Sequence, residues 1–223
     1  IVMDQIGDPD SYNFGATVNF TSQIFTDFPA NDSMALDDFT VTSAELRLTK
    51  VSALYEAIAG IAQLAGIAEF QVSIFTDPND ASDNLEGSVL GGGTMTWIVP
   101  NGLASVDQVG STNYGVLNLM TDITLPGAGT YWIGVAPISS KAVNGEFYLQ
   151  NGGSSVPDLP GGSNGYFANP GEGYGAGPLS QPNLDFAYAL TVVPEPAALT
   201  LLAMGSLSLL RRSRRGPRSD RQS

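Results

Sequence analysis

The sequence predicts an all-β body, a β-sandwich of jelly-roll type, followed by a short C-terminal hydrophobic helix. Three observations lead there. Of 223 residues, 26 are Gly and 14 are Pro while only 14% are charged, which suits many short strands joined by turns better than helical bundles. Apolar residues recur with period two in several segments, the pattern of a strand with one buried face. Turn signals stand between those segments, as DPND, GGGT, VPNG, LPGAG and NGGSS. At this length one all-β domain with a sizeable core fits, and two would be cramped.

Taken in order, strand patterns fall at Val18 to Ile24 and at Phe39 to Leu48. The next stretch, VSALYEAIAGIAQLAGIA from Val51 to Ala68, is Ala-rich and reads as a short helix or an apolar loop between strands. Gly60 and Gly66 argue against a long helix there. Alternation returns at Phe70 to Phe75, Tyr131 to Val135 and Phe147 to Leu149, and Thr94 to Val99 is a fuller apolar run. Trp97 and Trp132 lie within these patterns and read as core. The clearest strand comes last: Leu184, Phe186, Tyr188, Leu190 and Val192 alternate with Asp185, Ala187, Ala189 and Thr191.

Charge divides unevenly along the chain. Before Pro194 only Arg47, Lys50 and Lys141 are basic against 20 Asp and Glu, a net of −17, whereas the remainder carries six Arg against Glu195 and Asp220, a net of +4. So acidic a body is repelled by phosphate backbones, which excludes nucleic acid as a partner. There is no His and no Cys. Their absence removes the commonest general base, the commonest zinc ligand, disulfides and every Ser-His or Cys-His nucleophile. The first residues, IVMDQIGDPDSYNFG, have no basic or apolar leader region, so a secretory signal peptide is expected to have been removed or to lie outside this sequence.

The segment VPEPAALTLLAMGSLSLLRRSRR, Val193 to Arg215, breaks with all of this. Pro194-Glu195-Pro196 cannot continue a helix backwards and predicts an extended, accessible peptide. From Ala197 to Leu210, through Leu199, Leu201, Leu202, Leu207 and Leu209, no residue is charged. As a helix these 14 residues would span about 21 Å, short of the roughly 30 Å hydrocarbon layer. Arg211, Arg212, Arg214 and Arg215 follow at once, and a positive-inside bias holds such a cluster in the cytoplasm with the body outside. Residues 1–192 are thus expected to form the exported domain, 193–215 a membrane-directed signal and 216–223 a disordered basic tail.

That order of Pro-Glu-Pro, short apolar segment and Arg cluster resembles the PEP-CTERM sorting signal of Gram-negative bacteria. The resemblance implies recognition of Pro194, Glu195 and Pro196 by an exosortase, a membrane-embedded processing enzyme of organisms that also make exopolysaccharide. It further implies that Ala197 to Leu210 is a transient inner-membrane segment and that the arginines are its stop. The sequence departs in carrying GPRSDRQS beyond the arginines. In the body, SQIFTDFPANDSMALDDFTV, VSIFTDPND and LPGAGTYWIGVAP resemble the "choice-of-anchor" surface domains that often precede such tails, a likeness of style that speaks to fold.

Three features of the body bear on chemistry. DPNDASDNLEG brings Asp77, Asn79, Asp80 and Asp83 together with Asn84 and Glu86, oxygen ligands of the kind calcium takes. Their spacing is not that of an EF-hand, and the same residues form good turns in a solvated acidic loop, the favoured reading. Asp37 and Asp38, near Asp32, are the residue types of a carboxylate glycosidase. With 20 carboxylates in the body, accidental pairs are expected and solvated charge is the plainer reading. Finally, the Gly-rich stretch Asn151 to Gly177 carries Tyr166, Phe167 and Tyr174, aromatics that stack on sugars or, more often, pin a long loop to the core. No cofactor beyond that calcium site is implied and no catalytic set converges. The expected protein is a non-enzymatic, exported cell-surface or matrix protein associated with exopolysaccharide, and the alternative is a carbohydrate-binding module or carboxylate-based glycoside-active enzyme on the same scaffold.

Overall fold

The computed structural model of the protein describes residues 3–7, 19–42, 46–90, 92–152, 165–182 and 184–193. The expected β architecture is present. Its strands are β1 (Met3–Asp4), β2 (Asn19–Thr21), β3 (Ile24–Phe25), β4 (Met34–Val41), β5 (Leu46–Ala57), β6 (Glu69–Phe75), β7 (Val89–Leu90) and β8 (Gly93–Thr94). They continue as β9 (Thr96–Pro100), β10 (Ala104–Gln108), β11 (Tyr114–Leu125), β12 (Gly129–Ser139), β13 (Phe147–Gln150), β14 (Tyr166–Ala168), β15 (Leu179–Ser180) and β16 (Tyr188–Val193). Two single-turn helices, α1 (Ala62–Ala65) and α2 (Lys141–Asn144), interrupt them.

Among the described residues the strands assemble into two seven-stranded sheets and a small β7–β8 hairpin, with no closed barrel. In the first sheet the order is β1-β16-β5-β11-β10, with β13 and β2 added beyond β16 along the same long β5. The second runs β15-β14-β4-β12-β6-β9, and β3 pairs in parallel with the end of β12. The inner faces of both sheets share one apolar core. Val51, Ala53, Tyr55, Leu117, Leu119, Phe147 and Leu190 come from the first sheet, and Phe39, Val41, Phe70, Val72, Ile74, Ile133 and Val135 from the second. All are buried, and this apolar burial is the dominant driving force for sheet-on-sheet packing.

The Val51 to Ala68 stretch resolves differently from its Ala-rich appearance. Its first seven residues complete the 12-residue β5, and only Ala62–Ala65 is helical. The cause is burial on both sides: Ala53 and Tyr55 face the shared core, while Leu54 packs outward with Ile6, Val116 and Ala187. A strand covered on both faces loses its period-two pattern. The long Phe39 to Leu48 pattern likewise divides, with β4 ending at Val41 and β5 starting at Leu46.

A polar seam runs through the core where β4 and β12 separate. Their pairing stops at Leu36↔Gly134, where a Cβ on Gly134 would stand 2.3 Å from Met34 Sδ. Beyond it, hydroxyls from elsewhere replace the missing ladder. Val135 N donates to Tyr188 Oη at 3.0 Å, and Tyr188 Oη donates to Ala35 O at 2.7 Å. Val135 O accepts from Tyr55 Oη and from Ser22 Oγ, each at 2.6 Å. The two tyrosines thereby tie the first sheet to the second while satisfying backbone groups that burial would otherwise orphan.

Candidate functional site

A groove of about 320 Å³ lies on the outer face of the second sheet. It forms where three loops meet β6. The segment after β3 supplies Pro29 and Asp32, the acidic loop after β6 supplies Asp83 to Glu86, and the turn after β14 supplies Pro170 and Gly171. Ile24, Pro29, Leu85 and Pro170 give it apolar surface.

Local geometry explains which carboxylates of the acidic loop face the groove. Asp77 caps the 3-10 turn Pro78–Ser82, accepting from Asn79 N at 2.9 Å and from Asn79 Nδ2 at 2.7 Å. Asp80 accepts from Ser88 Oγ. Asp83 and Glu86 carry no such bond among the described residues, and both line the groove. Asn84 Oδ1 accepts from Glu86 N at 2.8 Å, which leaves its amide nitrogen for the groove. Of the four residues expected as calcium ligands, Asp77, Asn79 and Asp80 are therefore engaged in turn contacts and Asp83 belongs to the groove. Among the described residues, no three carboxylates converge closely enough to hold a metal ion.

Asp32 enters from the other side, with Oδ1 accepting from Phe25 N at 2.7 Å and burial pushing its carboxyl above the ordinary range. The groove also reaches Gln71 on β6, which is 8% exposed. Gln71 Nε2 donates to Leu85 O at 2.8 Å and to Ser73 Oγ at 3.0 Å. Its Oε1 accepts nothing among the described residues. Sequence reasoning flagged the Asp and Asn density of this loop but not its meeting with Asp32, Gln71 and Pro170, which are distant in the chain and joined only by the fold.

Asp37 and Asp38 overturn the solvated reading. They are 0% and 4% exposed. Asp37 points into the shared core, where it accepts from Phe186 N at 2.5 Å and from Asp38 N at 2.9 Å. The Gln5 amide, oriented to satisfy its surroundings, donates to the same Asp37 oxygen at 2.6 Å. Burial, reinforced by the charges of Asp185 and Asp38, pushes the Asp37 carboxyl well up despite these donors. Asp37 is thus a clip between sheets, set apart from the Asp32 of the groove.

The aromatics of the Gly-rich stretch turn inward. Phe167 is buried, with its ring 5.3 Å from Phe20 and 6.2 Å from Tyr174. Tyr166 packs on the outer cluster of Met34, Leu36 and Phe75. Tyr174 Oη donates to Glu146 Oε1 at 2.9 Å, alongside Lys141 Nζ at 2.7 Å and Tyr148 Oη to Oε2 at 2.7 Å. Burial pushes the Glu146 carboxyl up, but those three donors outweigh it and hold the group below the usual range. Trp97 packs against the shared core and Trp132 against the outer cluster.

The tail residues Pro194 to Pro196, the apolar segment Ala197 to Leu210, the arginines Arg211 to Arg215 and the final residues 216–223 lie outside the described residues. Among the described residues no helix is long and apolar enough to cross a membrane. The last strand, β16, runs to Val193 and pairs with β5 up to Val193↔Arg47. Against known families, residues 192–215 match the PEP-CTERM protein-sorting motif. The class so defined is that of exported, cell-surface-directed proteins handled by an exosortase-type enzyme. No curated protein matches the sequence. The motif begins inside β16, so no spacer separates the sheet from the sorting signal.

Proposed function

We propose that this is a non-enzymatic cell-surface or extracellular-matrix protein, its body a jelly-roll-like sandwich delivered by a processed tail. The observation that carries the reading is the sorting motif at residues 192–215, which directly continues the last strand. In this reading Pro194, Glu195 and Pro196 are the recognition element. Ala197 to Leu210 anchors the chain in the inner membrane for a time, and Arg211, Arg212, Arg214 and Arg215 hold the cytoplasmic side. The commitment of Asp37 to core hydrogen bonds and the lack of any His or Cys support a body without catalytic machinery. Mass spectrometry of the C-terminal peptide of protein recovered from its native cell-surface fraction tests the tail. A chain ending between Pro194 and Ala197 is expected; Leu210 and the arginines still attached would overturn processing.

A second reading, that the body is a carbohydrate-binding module, is favoured by one observation: the groove joins apolar surface to several uncommitted polar groups, the usual composition of a small-molecule site. Association with exopolysaccharide belongs to the leading reading, and a carbohydrate-binding groove would give it a surface to act through.

A further inference from the structure

We propose that the end of the sandwich from which the tail departs lies on the lipid bilayer, with Val89 and Leu90 of the β7–β8 hairpin dipping into the membrane interface. The inference rests on the reading of Ala197 to Leu210 as a membrane segment and adds what the body does while that segment is in place. Chain length fixes the distance. β16 is paired up to Val193↔Arg47, and only Pro194, Glu195 and Pro196 separate it from the apolar run. The four Cα steps from Val193 to Ala197 reach at most about 14 Å, and the polar layer outside the hydrocarbon is roughly 5–8 Å thick on each side. With Ala197 at the hydrocarbon boundary, the end of β16 is held beside the headgroups, and the rest of that end of the sandwich faces them too.

Strand register identifies that end. β4 finishes there with Val41 opposite Gly129, the start of β12, and β5 sets out from it at Leu46, opposite Leu125, the last residue of β11. β6 arrives there at Phe75↔Trp132. The hairpin is rooted beside the last residues of β6: Ser88 N donates to Ile74 O at 3.0 Å, Ile74 N to Met95 O at 2.9 Å and Met95 N to Ser88 O at 3.0 Å. β9 runs away from this end, from Ser73↔Thr96 to Glu69↔Pro100, so the hairpin that precedes it projects toward the end. Val89 is 72% exposed and Leu90 42%. Successive strand residues point to opposite faces, so each face of the hairpin bears one aliphatic side chain, which suits immersion in an apolar layer better than a flat partner. Two of the three basic residues before Pro194 stand at this end as well, Arg47 opposite Val193 and ion-paired with Asp122, and Lys50 opposite Thr191. The acidic loop folds back from it, with Leu85 O accepting from Gln71 Nε2 at 2.8 Å and from Ser73 Oγ at 2.7 Å. Untethered, a body of net charge −17 is repelled by anionic headgroups. The tail makes the contact intramolecular, and two apolar side chains then suffice to orient the body.

The test uses the lack of any native Cys. Two single-Cys variants of the full chain carry a fluorophore, Thr94→Cys on the hairpin and Ala142→Cys on α2, which follows the far end of β12. Each is reconstituted in vesicles of phosphatidylethanolamine and phosphatidylglycerol, with and without lipid bearing a nitroxide near the glycerol. The nitroxide is expected to quench the label at position 94 and to leave the label at position 142 unchanged. Val89→Asp with Leu90→Asp should abolish the quenching at 94. Val143→Asp, at a side chain 77% exposed on α2 at the far end, should not. Flotation of the protein with the vesicles through a density gradient reports on the tail independently. Protein that fails to float overturns the membrane segment and the proposal with it. Protein that floats with position 94 unquenched, or with both positions quenched alike, overturns the proposal and leaves the membrane segment standing, as does quenching that survives the two aspartates.

Discussion

Past Gly134, where β4 and β12 part, a single phenol carries two jobs: Tyr188 Oη accepts from Val135 N and donates to Ala35 O. Tyr188→Phe keeps the ring but leaves both backbone groups buried and unpaired, at a cost of about 1–3 kcal/mol. Tyr55→Phe should cost less, because Val135 O keeps its bond from Ser22 Oγ. Denaturant unfolding of the two variants side by side checks the ranking. Asp37 makes a prediction of different kind. Burial raises its carboxyl in the folded state, so the folded protein holds a proton that the unfolded chain has released. Its contribution to stability is therefore full below the ordinary carboxylate pKa of about 4 and is lost as pH rises toward Asp37's own raised value. Asp37→Asn cannot titrate, so its unfolding free energy should fall less steeply than that of the parent as pH rises above about 4. Parallel slopes would rule out Asp37 as the source. Nothing in the LDDFT sequence marked Asp37 as buried, since two adjacent carboxylates look solvated until the partners Phe186 and Gln5 arrive from the far end of the chain.

At the scale of elements, the acidic loop depends on Gly87. A Cβ there would stand 2.1 Å from Met95 O and 2.4 Å from Ile74 O, both backbone atoms that no side-chain rotation can clear. Gly87→Ala is expected to destabilise by about 3 kcal/mol or more, which thermal unfolding would register. How far the elements were legible follows from how many faces they bury. β6 shows its alternation because its outer residues include the polar Gln71 and Ser73. β5 and β11 do not: Leu54 and Val116 are buried on the outer face with Ile6 and Ala187, so apolar residues fall at both parities and the periodic signal disappears. The strand at Leu184 to Val192 is clear because its large apolar residues keep one parity while Asp185, Ala187, Ala189 and Thr191 keep the other, although its regular pairing begins only at Tyr188, after an isolated bridge between Asn151 and Phe186.

For the molecule as a whole, charge and tail are linear properties, and both were readable: an acidic body, then an apolar run and a basic cluster that match a known sorting motif. The groove was not, because it gathers residues from three loops whose meeting depends on how the sheets are wound. The same winding sets the order of assembly. Among the described residues β1 pairs with β16 alone, joining Met3 to Leu190 and Asp4 to Ala189. Closing that contact encloses nearly the entire body in one loop, the slowest kind of contact to form. β16 in turn stands between β1 and β5 and is the last strand before the sorting motif. A chain emerging from its N-terminal end would keep β1 waiting at an unfinished sheet edge until the residues next to the tail had also crossed. The tail is then more than an address, because the step that delivers it also completes the sheet.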